Sequence, residues 1–325
     1  MLVGQVSVSR PNPATVTVHV AQQGTAQIAD TVFGSFLEPI GNSINDGIAA
    51  EILVNRSLEA GLWNHVNLEN LYREQPELIE SSNETGIPLS WQSLNRAAGN
   101  RFELHVGQAA NSWQSLEVTG QPQELTGIMQ KVYLPVQRVL DYKVSFYAKH
   151  ISGPAVVTVS FRDRTSGKVL AESKTEAAGA AWTKYRAMLR LTEGQVQRFQ
   201  AVNFALAVEG NERVEVDQIS LTPEDAIGML DPDAVAIAKA MHITELRFGG
   251  NFSSYYHWRD GIWIGGQAAH DRKHCLGHTG VQQLRHRRVP AALRSPGRHS
   301  AVQLEHGQRY AGRSCGLGAV HSRAP

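Results

Sequence analysis

Between Trp91 and Thr222 apolar and polar residues alternate in short runs: LEVTG, GIMQKVYLPV, YKVSFYAKHI, AVVTVSFRDR, KVLAESKT, TKYRAMLRL, NFALAVEG and VEVDQISLT. A period of two puts every second side chain on one face of a strand, so each run predicts a strand buried on one side. Turn residues such as Thr165-Ser166-Gly167 and Glu209-Gly210-Asn211 separate the runs. Several short strands at this spacing imply a β-sandwich, which Pro223 closes. Near the N-terminus, QVSVSR and ATVTVHV, joined by Pro11-Asn12-Pro13, predict an antiparallel pair.

On either side of the sandwich the pattern changes. Val32 to Ile40 is mainly apolar and ends in Pro39-Ile40-Gly41, which predicts a buried parallel strand followed by a loop. Ile48 to Leu58 predicts a short helix ahead of a polar loop containing Asn64 and Asn67. Beyond Pro223, Leu230 to Met241 predicts an amphipathic helix with Pro232 near its start and Val235, Ile237, Ala238 and Met241 as its apolar set. ITELRFGG then reads as a strand running into paired glycines. Strand, helix and strand form one βαβ unit with the sandwich inserted inside it, an arrangement that requires only that the guest's termini lie close together.

Composition adds a division that periodicity alone does not show. The 325 residues are 42% apolar, ample for a buried core. Residues 1–263 carry 21 Lys and Arg against 28 Asp and Glu, whereas residues 264–325 carry 10 against 2. Both cysteines, Cys275 and Cys315, lie in that basic tail, so the body requires no oxidising compartment and has no cysteine nucleophile. No export signal opens the sequence and no apolar stretch approaches the ~18 residues of a membrane helix, so a cytoplasmic, non-membrane protein is expected. Asn55-Arg56-Ser57 fits a glycosylation acceptor by pattern but carries no weight without export.

The candidate chemistry collects at two strand ends. A carboxylate at the carboxyl end of a parallel strand sits where α/β folds bind ligands, and Glu38 meets that condition. It is readable either as an acceptor for sugar hydroxyls or as one half of a structural ion pair. Gly249-Gly250-Asn251 ends the second strand; paired glycines permit close backbone approach, so Asn251 is placed to offer an amide to a hydroxyl or to close a tight turn on its own backbone. Tyr255, Tyr256, His257 and Trp258 follow beside Arg259 and Asp260, a mixture of flat apolar faces and polar groups suited to sugar recognition, although core packing accounts for some of these rings.

With those residues in place, FGSFLEPIGNSINDGIAAEILVNRSLEAGLW and LRFGGNFSSYYHWRDGI resemble the first and second barrel-strand regions of glycoside hydrolase family 51, the α-L-arabinofuranosidases. The resemblance covers roughly residues 1–262 and implies a fold class of mixed α/β and β. In that reading residues 1–27 are N-terminal strands of an accessory β-sandwich, and 28–85 hold the first barrel strand and helix region. Residues 86–222 form an inserted carbohydrate-binding-like sandwich, 223–262 a barrel helix and second strand of a partial (β/α)8 barrel, and 263–325 an atypical tail. The resemblance implies that Glu38, Gly249, Gly250, Asn251 and Trp258 bind an arabinofuranosyl unit. Phe248 stands where many relatives have proline. The implied chemistry is retaining hydrolysis by two glutamates about 5 to 5.5 Å apart. The family supplies them after its fourth and seventh strands, regions with no counterpart in this sequence; Glu305, the only glutamate after Trp258, matches neither motif. No metal or organic cofactor is implied, arabinofuranose-containing oligosaccharides or polysaccharides are the expected partners, and homo-oligomerisation stays open.

Residues 264–325 hold seven histidines and no Phe or Trp, and their apolar positions keep no period. A frameshift in the coding sequence is the expected origin: permitted codons for Gly307 to Ser322, read one nucleotide later, give ASGTPAEAAAWVRYI, an amphipathic segment. The spacing of His270, His274, Cys275 and His278 admits a zinc site as an alternative. The arginines Arg285, Arg287, Arg288, Arg294 and Arg298 lack the aromatic partners of a nucleic-acid surface, so no specific nucleic-acid partner is expected. A noncatalytic carbohydrate-binding protein, with Trp113, Tyr133, Tyr142, Tyr147, Phe161, Trp182 and Phe204 as candidate platforms, is the rival reading.

Overall fold

The computed structural model describes residues 24, 27–38, 43–59, 69, 73–74, 76–95, 101–111, 113–152, 155–248, 270–273 and 278–281. The predicted N-terminal pair, Cys275 and Cys315, and most of the basic tail lie outside these residues, as do the side chains of His270 and His278. Within the tail, His270–Lys273 and His278–Val281 (β13 and β14) pair as a short antiparallel hairpin.

Each predicted run becomes a strand. β4 (Gln114–Thr119), β5 (Thr126–Tyr133), β6 (Asp141–Ser152), β7 (Ala155–Asp163), β8 (Val169–Ala177), β9 (Thr183–Arg190), β10 (Ala201–Val208) and β11 (Arg213–Pro223) are joined by two strands that were not predicted, β2 (Gln92–Ser93) and β3 (Phe102–Val106). They form two five-stranded antiparallel sheets, one ordered β2-β5-β10-β7-β8 and the other β3-β4-β11-β6-β9. The alternation faces inward as expected: Val157, Val159 and Phe161 on β7 and Val202, Phe204 and Leu206 on β10 are fully buried against Tyr142, Val144 and Phe146 of β6. A chain of edge-to-face rings crosses this core, with centroids 6.3 Å apart for Trp91 and Phe204, 6.3 Å for Phe204 and Phe161, and 5.3 Å for Phe161 and Tyr142.

The expected helix at Ile48 to Leu58 does not form. A single π-helical turn spans Ile44–Ile48; residues 49–54 then cross the end of the sandwich without helix and lead into a turn at residues 55–58, where Leu58 N–H donates to the Asn55 carbonyl. Tertiary bonds replace the helical ones: Ile52 N–H donates to the Leu221 carbonyl, Ile219 N–H to that of Arg56, and the Gln130 side-chain amide both accepts from Val54 N–H and donates to its carbonyl. Glu51 accepts from Leu221 N–H (2.9 Å) and Ser220 Oγ (2.6 Å) and pairs with Arg56 (3.1 Å). Leu53 and Leu58 are buried in the sandwich core. Intrinsic preference is outweighed here because a non-helical path satisfies both the segment's own backbone and the end of β11. The buried Asn55 side chain bonds the carbonyls of Glu59 and Leu89, so the acceptor pattern at Asn55 is a structural turn rather than a free glycosylation site.

Outside the sandwich, β1 (Ser35–Leu37) and β12 (Leu246–Phe248) pair in parallel, Ser35 with Leu246 and Leu37 with Phe248. The parallel pairing is as expected, but burial is not: Phe33 and Phe36 are 57% and 47% exposed, because β12 is the only strand that pairs with β1 among the described residues. Helix α1 (Pro76–Thr85) was not predicted, although a proline at its first position, Glu77 in its first turn and Gly86 at φ +74° after its end are ordinary boundary signals. Helix α2 (Pro232–Ala240) is capped by Asp231, which accepts from Asp233 and Ala234 N–H. Of its expected apolar set Val235 is buried, whereas Ile237 is 60% and Met241 66% exposed. The chain is therefore mostly a β-sandwich with few helices, and no described helix is long and apolar enough to cross a membrane.

Candidate functional site

Parallel register brings the two predicted strand ends side by side. Leu37 and Phe248 are partners, so the chain leaves both strands at the same edge, through Glu38 on one and Gly249 on the other. Glu38 is half-buried, and its backbone carbonyl accepts from the Ser43 hydroxyl, which draws the two ends of the following loop together. The Arg247 guanidinium lies 5.2 Å from the centre of the Phe36 ring opposite it. Gly249, Gly250, Asn251 and Trp258 lie outside the described residues.

The outer face of the β2-β5-β10-β7-β8 sheet offers a second candidate surface. Strand pairing aligns Gly127–Ala207–Thr158–Lys174 in one row, Gln92–Met129–Ala205–Ser160–Glu172 in the next and Lys131–Asn203–Arg162 in a third. Ala205 and Ala207 on β10 and Thr158 and Ser160 on β7, almost fully buried, form the middle of this face between the longer Met129 and Lys131 of β5 and Glu172 and Lys174 of β8. Gly127 is required here: a Cβ would lie 2.1 Å from the Leu206 carbonyl oxygen of the adjoining strand. Lys174 bonds Glu209, holding that carboxyl below its usual range, and Thr158 donates to the same carboxylate.

On the opposite sheet the outer face is charged and largely covered. Glu117 and Glu215 are paired across β4 and β11 and almost fully buried. The two nitrogens of His105 lie 3.1 Å from a Glu117 oxygen and 3.0 Å from a Glu215 oxygen, while Arg213 and Lys149 approach the same two carboxylates at 2.6 and 2.9 Å. Glu103, His105 and Glu117 offer three ligand atoms within 4.8 Å of one another. That donor set suits a divalent ion, but Arg213 and Lys149 already supply the positive charge, and the carboxylates are compensated without one. The rings on this face are capped as well: Lys149 sits 5.0 Å from the centre of Trp182 and Lys184 5.5 Å from that of Tyr147.

Beneath the loop between β3 and β4 lie two buried carboxylates, Asp217 and Glu59. Asp217 accepts from the N–H groups of Asn111 (2.9 Å) and Gln218 (2.6 Å), and Glu59 from Trp113 N–H (2.9 Å). Burial pushes the Asp217 carboxyl up to about 8, with the Glu59 charge adding to the effect against the three backbone N–H groups that lower it. These acids tie the loop to the sandwich.

Of the seven aromatic residues named as platforms, Tyr142, Phe161 and Phe204 are core residues and Tyr147 and Trp182 are half-buried. Trp113 and Tyr133 remain, 67% and 56% exposed. Phe199, 76% exposed, escaped the sequence reading because it lies between runs, where no period marks it.

Residues 84–210 match the family model of a carbohydrate binding domain. An extracellular exo-α-L-arabinofuranosidase of Streptomyces chartreusis is 25% identical over 240 residues, which is 73% of this chain and 26% of that protein. An arabinose-bound GH51 α-L-arabinofuranosidase superposes on 75% of this chain and 39% of its own with a TM-score of 0.54 at 16% identity, a likeness of fold. The chain thus spans about a quarter of the length of the curated relative it matches. The resemblance to family 51 is met in sequence and in fold, and the carbohydrate-binding family falls on the sandwich. The expected cytoplasmic location is corrected by the same relative, which is extracellular; that expectation rested on the first residues alone.

Proposed function

We propose that this chain is the N-terminal, sugar-recognising portion of a retaining α-L-arabinofuranosidase that removes terminal arabinofuranosyl groups from arabinoxylan, arabinan or their oligosaccharides. The parallel pairing of Leu37 with Phe248 supports the reading, since Glu38 and the Gly249-Gly250-Asn251 segment directly follow these two paired residues in sequence although about two hundred residues separate them. In this reading residues 28–85 and 223–262 are the two pieces of a partial (β/α)8 barrel interrupted by residues 86–222. Glu38 and Asn251 receive the arabinofuranose hydroxyls, Trp258 packs on the sugar, and the sandwich holds the polymer from which the sugar is cut.

Retaining hydrolysis requires one carboxylic acid to protonate the leaving oxygen and a second carboxylate to attack the anomeric carbon. Glu38 is assigned to binding, and the regions that would supply the acid and the nucleophile have no counterpart in this sequence. The polypeptide of 325 residues is therefore expected to bind arabinofuranosyl oligosaccharides without releasing arabinose from an aryl α-L-arabinofuranoside. A noncatalytic carbohydrate-binding role is the second reading, favoured by two five-stranded sheets beside one parallel strand pair among the described residues. Titration calorimetry with arabinoxylan oligosaccharides, run on the intact chain and on Glu38→Ala, separates the two: weakened binding in the variant supports the arabinofuranose subsite, equal binding leaves recognition to the sandwich alone, and no binding by either removes both.

A further inference from the structure

We infer that the sandwich takes acidic glycans, chains bearing uronic acid units, at one aromatic and cationic end of the outer face of the β2-β5-β10-β7-β8 sheet, which carries Tyr133, Lys131 and Arg162 and is entered from Arg198 and Phe199. The inference deepens the reading above by naming a ligand class for the sandwich, and it rests on that reading.

Tyr133 and Ala201 are partners at the last rung of β5 and β10, so the chain entering β10 from Phe199 passes beside the exposed Tyr133 ring. The loop that presents Phe199 is tightly built. Gln195 accepts from Thr192 N–H through its side chain and donates to the Leu170 carbonyl of β8; Gln200 accepts from Gln197 N–H; Val196 is buried in the core. Phe199 itself has φ +63°, a conformation unfavourable for an aromatic residue, yet its ring is 76% exposed. Core packing therefore gives no reason for the ring or for the strain. Held strain of this kind, with an apolar ring aimed at solvent, fits a preformed contact for a flat ligand.

The charges give that ligand its sign. Arg198 lies 4.6 Å from the centre of the Phe199 ring and Lys131 5.8 Å from that of Tyr133. Lys131 and Arg162 flank Asn203 on the outer face, two strand spacings or about 10 Å apart. Among the described residues, none of the three cations has a carboxylate within 4 Å. The acids on the same face, Glu172, Glu176 and Glu209, lie on rungs farther from Tyr133, where Lys174 bonds Glu209 and has Glu172 nearby. Residues 86–222 carry 15 Lys and Arg against 12 Asp and Glu, a net of +3, whereas the remainder of residues 1–263 carries 6 against 16. The sandwich is thus the one basic part of an acidic body. Neutral sugars need aromatic faces and hydroxyl partners only; three uncompensated cations around two exposed rings match a sugar that also carries a carboxylate.

The test is titration calorimetry on the full chain with a xylo-oligosaccharide bearing one glucuronic acid, and with the same oligosaccharide after reduction of its carboxyl group, each at about 20 mM and 300 mM salt. The acidic ligand is expected to bind about tenfold more tightly than the reduced one at low salt, with the difference shrinking at high salt. Arg198→Gln together with Lys131→Gln should remove that difference while leaving binding of the reduced ligand in place. Phe199→Ala should weaken both ligands severalfold, and unchanged thermal unfolding shows that each variant folds. Equal affinity for the two ligands overturns the inference but leaves sugar recognition standing; absence of binding to these and to neutral arabinoxylan oligosaccharides overturns both.

Discussion

Asp217 shows how a single buried group couples this fold to its solvent. Its carboxyl is pushed up to about 8 by burial, while in the unfolded chain it titrates near the ordinary value of about 4. Between these values the folded state holds more protons than the unfolded one, so stability falls as pH rises from about 4 to about 8, at up to roughly 1.4 kcal/mol per pH unit. Asp217→Asn keeps an acceptor for one of the N–H groups and abolishes the ionisation. In metal-free buffer its urea midpoint should change less than that of the wild type between pH 5 and pH 8, and the same slope in both proteins would contradict the assignment. Phe204→Ala probes packing instead: the ring is fully buried between Trp91 and Phe161, and its loss should cost about 3–5 kcal/mol in the same urea experiment.

The elements that join the sandwich to its scaffold are held by side chains as well as by backbone bonds outside the two sheets. Arg138, in the loop after β5, donates to Asp225 (2.6 Å), Asp231 (2.9 Å) and Asp233 (2.6 Å), and so grips the capped N-terminus of α2. These partners raise the guanidinium's affinity for its proton despite the opposing effect of burial. Arg138→Ala leaves Asp225 and Asp231 without their cation, at an expected cost of about 2 kcal/mol. Amide exchange should quicken across Pro232–Ala240 and leave β7 and β10 protected; uniform quickening would mean that the grip supports the whole fold. Glu51→Gln acts at the other junction, where the carboxylate holds residues 49–59 on β11. Exchange at Ile52 and Leu221 should rise in that variant. Neither contact was readable beforehand, because Arg138 and Asp231 are 93 residues apart and nothing in their local sequence links them.

Among the described residues of the whole molecule, the sandwich holds the buried core and the strand pair lies outside it. Ile28, Val32, Phe33 and Phe36 are each 47% or more exposed, whereas β7 and β10 are buried along their inner faces. Limited chymotrypsin digestion should cut within residues 28–37 first and leave a fragment that still unfolds cooperatively. Simultaneous loss of both parts would show one folding unit. The alternating runs determined eight strands, because a period of two is a local property that either sheet can use. β3 alternates only in part, with Phe102 buried and Leu104 half-buried but Val106 57% exposed, so its five residues leave too little of the period to stand out. The sequence by itself also determined that Val32 to Ile40 and ITELRFGG belong to one parallel unit, since the segments resemble a single family. Tertiary structure alone decided that Ile48 to Leu58 abandons its helix for bonds to β5 and β11. It likewise separated three aromatic core residues from the exposed Trp113, Tyr133 and Phe199. The reason is the same in each case: periodicity fixes which face a side chain takes, but what covers that face is set by residues far away in the chain.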